Sequence, residues 1–347
     1  TWAQKEMGLY RATQMFFQDW IFRAGPVPLP GMPVFICILA VNLAAKLVFS
    51  SPWRKDRAGI IVAHMGALLL MVGGFLTAVT AREGFIELKP GEVENSVSDY
   101  HDRELAVLTA GSGQTLRTWP HDELHKGRIL SVPARGAAGA SEVPFRIEIL
   151  RTCRNCAIRP RKTGPESGDG WRHAANQLEL FPAPLEIEDE INRAGAVIEV
   201  QGAGAVHNGR YILFEDMPGF PVIADVKIAL RRAQRPLPFA VELIEFRRET
   251  HPGTPVARHY ESMIRVHDGP ASWESRVSMN APLRYRGYTL YQSSYVQTGR
   301  GQKPEISVLA VVWNAGRIFP YLAGSLMCLG MALHFVTGRR LQSGETA

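Results

Sequence analysis

Three blocks of almost uninterrupted apolar residues stand out from an otherwise polar chain. They cover residues 34–50, 59–79 and 319–336, and His64 is the only ionisable residue of the second block. A helix of about 20 apolar residues crosses a bilayer, and tilting or local thinning accommodates a shorter one. The pattern therefore predicts three transmembrane helices.

The residues between the second and third blocks show a different pattern. Apolar and polar positions alternate there in short runs, the period of half-buried antiparallel strands, and Gly-containing turn pairs separate several of the runs. We expect a membrane protein with α-helical transmembrane spans and a large all-β, sandwich-like extracytoplasmic domain. The predicted strands are 85–89, 105–110, 145–150, 196–200, 211–216, 222–230, 239–246, 260–266, 288–296 and 306–313.

Basic residues predict the orientation of the helices. Arg54, Lys55 and Arg57 lie between the first two blocks, and Arg339 and Arg340 follow the third. Such clusters mark cytoplasmic segments. The large domain is then on the periplasmic side of a bacterial inner membrane, in a multi-pass protein. Three spans would also place the first residue outside, so we expect a further membrane helix upstream.

The predicted organisation has four parts. Residues 1–33 form an amphipathic helix over 1–22 and a proline-rich connector, with the helix lying either at the membrane surface or against the large domain. Residues 34–80 form two transmembrane helices joined by the basic loop, and 81–316 form the β-rich domain. Residues 317–347 form the last helix and a cytoplasmic tail.

The net charge says little about function beyond the orientation of the helices. The formal net charge is +6, the pI is about 9.2 and the mean hydropathy is −0.06. In a membrane protein this mild excess fits orientation and contact with anionic lipid, and no basic-aromatic motif predicts a nucleic-acid partner. No Ser/His/Asp order, phosphate-binding loop or dinucleotide fingerprint is present.

Two histidines of the apolar blocks are candidate ligands. An imidazole in hydrocarbon needs a partner, which a neighbouring helix, a backbone carbonyl or a haem iron can supply. His64 and His334 are both about five residues from a predicted cytoplasmic end, so the two could ligate one haem. The outer histidines are expected to be solvent-facing or locally bonded; they are His101, His121, His125, His173, His207, His251, His259 and His267.

Two of the four cysteines form a CxxC pair, Cys153 and Cys156, in the polar middle of the chain. No histidine follows the pair, which argues against covalent haem, and no second pair supports zinc. The spacing predicts a structural disulfide or a redox-active pair. Cys37 and Cys328 lie in apolar blocks and are expected to pack as small apolar side chains.

Four stretches together resemble the ResB/CcsB family of cytochrome c biogenesis (system II). They are WAQKEMGLYRATQMFF (2–17), RAGIIVAHMGALLLMVGG (57–74) with the pattern G-x-x-x-x-H-x-G, GFIELKPGE (84–92) and MNAPLRYRGYTLYQSSY (279–295). The last resembles the family motif N-x-P-L-x-Y-x-G-x-x-x-Y-Q, which we interpret mainly as scaffold. Its residues are Asn280, Pro282, Leu283, Tyr285, Gly287, Tyr291 and Gln292.

The resemblance implies a function and a partner. Family members work with a CcsA/ResC-type membrane protein to move haem across the membrane and attach it to apocytochrome c. The chain would then be a non-catalytic or co-catalytic subunit of a haem lyase, with His64 as a ligand of haem b. Two alternatives stay open: a b-haem subunit of a quinone-linked electron-transfer complex, and a cofactor-free scaffold or chaperone.

Overall fold

The computed structural model describes residues 2–344 except 52, 55–56, 133–144, 162–169, 216, 218, 255 and 298–304. More of these residues are in β-strands than in helices, and three helices are long and apolar enough to cross a membrane. The chain divides into two compact units. The first unit combines Thr1–Gly8 with Asn95–Pro238, and the second unit combines Leu9–Glu94 with Phe239–Ala347. The predicted domain 81–316 therefore contributes to both.

The helices are α1 (Trp2–Met7), α2 (Leu9–Thr13), α3 (Met32–Ala45), α4 (Ala58–Thr80) and α5 (Phe319–Gly344). π-helical turns Gln14–Gln18 and Lys46–Ser50 extend α2 and α3. The strands are β1 (Ile21–Ala24), β2 (Val27–Pro30), β3 (Arg82–Leu88), β4 (Val93–Thr109), β5 (Thr115–Pro120), β6 (Ile129–Val132), β7 (Phe145–Cys153), β8 (Cys156–Pro160), β9 (Leu178–Pro182), β10 (Gly195–Gln201), β11 (Gly209–Phe214), β12 (Val222–Ile223), β13 (Val226–Thr250), β14 (Ala257–Asp268), β15 (Ala271–Ser278), β16 (Leu283–Tyr285), β17 (Tyr288–Gln297) and β18 (Glu305–Trp313).

The three candidate spans agree with the apolar blocks. They are Met32–Ser50, Ala58–Thr80 and Phe319–Thr337, and most of their large apolar side chains face outward. An outward apolar surface is the expected state of helices that face lipid or other helices. Lys55 of the predicted cytoplasmic loop lies outside the described residues, whereas Arg54 and Arg57 lie within them.

The N-terminal segment differs from the predicted helix over 1–22. Gly8 has φ +81°, a left-handed conformation that ends α1, and the chain is already extended at Ile21. β1 and β2 pair as a two-stranded hairpin in which Pro28 and Pro30 oppose Arg23 and Ile21. Prolines are tolerated there because each strand of a two-stranded hairpin has one unpaired edge.

The first unit is a β-sandwich in its packing. Strands β11-β10-β7-β6 form a four-stranded antiparallel sheet, and residues of β4, β5 and β13 supply the facing layer. Alternate residues of each strand point inward, as in Ile147 and Ile149 of β7 and Ala196 and Ile198 of β10. The period-2 alternation of the sequence thus produces the core.

Apart from β1 and β2, the strands of the second unit belong to one antiparallel sheet. Residues 240–250 of β13 pair with β14 and β14 with β15, while β3, β18, β17 and β16 follow one another antiparallel. β14 and β15 pack against β17. Three fully buried side chains, Leu243, Ile264 and Leu309, lie in this core.

Candidate functional site

Helices α4 and α5 pack backbone against backbone along a seam of glycines. A Cβ atom added to Gly59 would lie 2.3 Å from the backbone nitrogen of His334, and one added to Gly73 would lie 2.2 Å from Cβ of Phe319. A Cβ atom on Gly66 would lie 2.6 Å from Cγ of Met327. Larger residues would therefore push the helices apart. Small residues that permit such an approach are typical of helix pairs in membranes.

This seam determines the direction of His64. Gly59 and Gly66, the two glycines of the G-x-x-x-x-H-x-G pattern, both contact α5. Because a helix turns about 100° per residue, His64 lies about 140° around α4 from the seam. The pattern therefore places α4 against α5 and directs the histidine to the opposite side.

The His64 ring is held by its own helix. Nδ1 lies 2.7 Å from the carbonyl oxygen of Ile60, one turn earlier. Since a carbonyl only accepts, Nδ1 donates its hydrogen, and Nε2 of the neutral ring keeps its lone pair. Metal-ligating histidines commonly use this arrangement, in which a hydrogen bond fixes the ring and the other nitrogen binds the metal.

His334 occupies a different position. Its backbone lies against Gly59 in the seam, its side chain is exposed, and its ring centroid is 6.2 Å from that of Phe335. Gly59 is about 8 Å along α4 from His64. The structure therefore places the two histidines at different levels and does not bring them together as a pair.

Cys153 and Cys156 form a disulfide with a Cα–Cα distance of 5.6 Å. The two residues between them are anchored: Arg154 Nη2 donates to Asp189 Oδ1 at 2.8 Å, and Asn155 Oδ1 accepts from the backbone N–H of Arg193 at 3.2 Å. Sγ of Cys156 lies 2.5 Å from the position that a Cβ atom on Gly195 would occupy. These contacts are those of a structural disulfide inside the first unit. Redox activity of the cysteine pair stays a prediction.

The C-terminal motif is built into the second unit. Tyr285 Oη donates to Asp268 Oδ2 at 2.5 Å, and this hydrogen bond to a carboxylate raises the pKa of Tyr285. Gln292 is buried and bonded to Ser262 and Ser307 across three strands. Gly287 has φ +85°, which the turn between β16 and β17 requires.

The remaining motif residues complete that hairpin. Asn280 lies in the turn before β16. Pro282 is the last residue before that strand, and Leu283 is its first residue. Tyr291 is 38 % exposed on β17. Their positions in a turn and two strands accord with a scaffold.

Sequence reasoning missed a buried charge network in the first unit. Arg103 Nε donates to Glu215 at 3.0 Å, and Arg232 approaches the other oxygen of Glu215 at 3.3 Å. Arg103 also donates to the carbonyl of Asn192, and Arg235 pairs with Asp99. Arg103 and Glu215 are more than 100 residues apart in the sequence. No local spacing in the sequence signals such a contact.

The histidines of the first unit differ in their surroundings, and Nε2 of His121 is buried without a hydrogen-bond partner among the described residues. His101 Nδ1 lies 3.1 Å from the buried carboxylate of Asp189. Burial lowers the pKa of His121, and the nearby positive charge of Arg103 lowers it further. Within the described residues, no group of three or more His, Cys, Asp or Glu side chains is arranged to hold a metal ion.

The sequence matches a known family over most of its length. Residues 53–309, about three quarters of the chain, match the ResB-like family. The chain belongs to the ResB-like family. One relative is protein NrfI of Wolinella succinogenes, 29% identical over 108 residues. That similarity covers 30% of this chain and only 11% of NrfI.

Membership of the ResB-like family supports a role related to cytochrome c biogenesis and association with a membrane. The matched region contains α4 with His64, the disulfide and the C-terminal motif. The helices α3 and α5 lie outside it. The glycine pattern around His64 is therefore within the part that this ResB-like chain shares with the family.

Proposed function

We propose that the chain is a subunit of a haem-handling complex of cytochrome c biogenesis in the bacterial inner membrane. It works with a CcsA/ResC-type membrane protein that moves haem toward apocytochrome c on the periplasmic side. The observation that carries this proposal is the geometry of His64, which keeps Nε2 available on the side of α4 remote from α5.

The residues present fit a haem. Haem iron takes axial imidazole ligands, and the Nδ1 hydrogen bond to the carbonyl of Ile60 orients the ring as such ligands require. Haem b would supply the iron centre that is carried or transferred. A further ligand would have to come from the partner, because His334 lies at another level of the helix pair.

The proposal assigns the chain a non-catalytic or co-catalytic part in haem attachment. His64 would hold and orient the haem, and the glycine seam keeps α4 rotated so that the imidazole points away from α5. The large β portion lies on the periplasmic side, since Arg54 and Arg57 mark the opposite end of α3 and α4 as cytoplasmic.

The proposal is tested by maturation of c-type cytochromes in cells that carry His64→Ala. We expect covalent haem in cytochromes to fall at least about tenfold, since loss of a ligand weakens metal binding by one to two orders of magnitude or more. The measurement is haem-stained cytochrome c per amount of this chain in the membrane. His334→Ala is the matched control and should retain wild-type maturation. Equal maturation in wild type and His64→Ala would refute the proposal.

A further inference from the structure

The end of α4 that leads into β3 reaches the level of lipid headgroups. The 23 residues of α4 rise about 35 Å. The hydrocarbon core of a bilayer is about 30 Å thick, and the two headgroup layers extend this to about 40–45 Å. If α4 spans a membrane, its last residue, Thr80, therefore lies in a headgroup layer.

Arg317 lies just inside this level, where the chain passes from β18 to α5. A Cβ atom on Gly316 would lie 2.2 Å from Oγ1 of Thr77, which places residue 316 beside α4 about 5 Å before the end of that helix. Thr77 also donates to Oδ1 of Asn314 at 3.2 Å. Arg317 is exposed, and its side chain has no hydrogen bond or ion pair with any residue that the structure describes.

Arg82 lies just outside the same level. It is the second residue after α4, and its backbone pairs with Trp313, the last residue of β18. Arg82 is also exposed, and within the described part of the chain its side chain has no partner. Glu83 is the one carboxylate within 74–83 and 311–322, and it points to the other face of β3 because side chains alternate along a strand. This end of the helix pair thus carries a net positive charge.

Apolar and aromatic side chains border Arg317. Ile318, Tyr321 and Leu322 are 56%, 71% and 52% exposed at the start of α5. Trp313 ends β18 on the same side. Tryptophan and tyrosine are enriched at the level of the headgroups, and an arginine near the end of a span extends its side chain to the phosphates. These surroundings are those of a membrane interface rather than of a surface that faces only water.

We propose that Arg82 and Arg317 bind the phosphate groups of anionic membrane lipid, of which phosphatidylglycerol is an example. A guanidinium donates two parallel hydrogen bonds to a phosphate, and the net positive charge favours anionic over zwitterionic lipid. The contact holds the adjoining ends of β3 and β18 at the bilayer surface. The inference requires only that α4 and α5 cross a membrane, and it does not depend on His64 or on haem.

The test is lipid binding to the full-length protein in detergent, measured by native mass spectrometry with phosphatidylglycerol, phosphatidylcholine or inorganic phosphate. Arg82→Gln combined with Arg317→Gln should lower the affinity for phosphatidylglycerol about thirtyfold, since each arginine near a membrane surface contributes about a fivefold factor. The matched control is Arg258→Gln combined with Arg276→Gln. It removes the same charge from exposed positions and should keep the wild-type affinity.

The control positions are remote from the helices. Tyr260, two residues after Arg258, donates to the carbonyl of Ser293. Ser293 is five residues, or about 16 Å of strand, from Tyr288, which pairs with the end of β18. Arg276 lies on the neighbouring strand β15.

A variant that keeps the charge separates binding from folding. Arg82→Lys combined with Arg317→Lys should bind phosphatidylglycerol more tightly than the double glutamine variant. Equal losses in the double glutamine variant and the control would overturn the inference, as would equal affinity of the wild-type protein for phosphatidylglycerol and phosphatidylcholine. Inorganic phosphate that binds as tightly as the lipid would show a site for the free ion and would also overturn it.

A second measurement gives the depth of the site. A genetically encoded nitroxide side chain replaces Ile318, or Val256 as the exposed control between β13 and β14. Power-saturation EPR in vesicles that contain phosphatidylglycerol measures the distance of each label from the bilayer centre. We expect about 10–20 Å for position 318 and bulk water for position 256. A label at position 318 in bulk water would contradict the proposed contact with lipid.

Discussion

The Glu215 network of the first unit and the polar residues of the apolar helices are hydrogen-bonded to different degrees. In the first unit the carboxylate of Glu215 receives Arg103, Arg232 and a backbone N–H. On the helices, the Asn42 amide has no partner among the described residues, and His64 is bonded through one ring nitrogen only. A satisfied polar group contributes to folding, whereas a polar side chain inside an apolar helix is a candidate for contact with a ligand or another helix.

The packing forces differ as well. The first unit is held by an apolar core that water drives together. Lipid provides no comparable force between helices, so α4 and α5 depend on close contact at glycines. Substitutions in the core of the first unit and in the seam between α4 and α5 should therefore destabilise the protein for different reasons.

The largest effect is expected from Glu215→Ala in the first unit. Removing a carboxylate that is 2% exposed leaves Arg103 and Arg232 without their shared partner, which should cost about 3–5 kcal/mol of unfolding free energy. Urea-dependent proteolysis of the detergent-purified protein measures the loss. Glu123→Gln, at the partly exposed pair with Arg128, should cost less than about 1 kcal/mol. Similar losses in both variants would contradict the role given to the network.

A smaller effect is expected in the helix seam. Gly59→Leu forces a side chain into the backbone of α5 and should cost about 1–3 kcal/mol through overpacking. Gly74→Leu is the control on the same helix, because a Cβ atom there meets nothing within 4 Å. Thermal denaturation in detergent should separate the two variants. If Gly74→Leu were as unstable as Gly59→Leu, the loss of stability would come from the changed helix composition and not from the contact between α4 and α5.

The smallest effect is a pH dependence of the first unit. His121 has a lowered pKa in the folded state through burial, so the unfolded chain takes up a proton first as the pH falls. Stability contributed by neutral His121 is complete above about pH 6.5 and is lost below it, at no more than about 1.4 kcal/mol per pH unit. The free energy of unfolding, measured from pH 7.5 to 5.5, should depend less steeply on pH in His121→Gln than in the wild-type protein. The exposed control His125→Gln should keep the wild-type slope.

Much of the fold follows from local patterns. The apolar blocks predicted the three helices because length and apolarity alone determine a candidate span. Nine of the ten strands predicted from alternation each overlap one strand of the structure. The tenth, 222–230, is a hairpin, because Ala224 and Asp225 have positive φ and form a turn between β12 and β13. The sequence around Arg231–Pro238 resembles a break between two strands, yet β13 continues through Pro236 and Pro238. Pairing between strands, which no local pattern contains, determines that continuity.

The candidate site was predictable only in part. The apolar surroundings of His64 indicate a functional residue, but its direction depends on which face of α4 contacts α5. The pairing of His64 with His334 was inferred from their similar distances to predicted cytoplasmic ends, whereas the structure places the His334 backbone against Gly59, about 8 Å along α4 from His64. The network around Glu215 depends on contacts between distant residues and leaves no periodic signal.

The most direct test of the central claim is the visible absorption spectrum of the detergent-purified complex of this chain with its CcsA/ResC-type partner. We predict a Soret band in the wild-type complex that persists in His334→Ala and is lost or strongly shifted in His64→Ala. A band with the same position and intensity in wild type and His64→Ala would contradict the assignment of His64 as a haem ligand, as would the absence of any band in the wild-type complex.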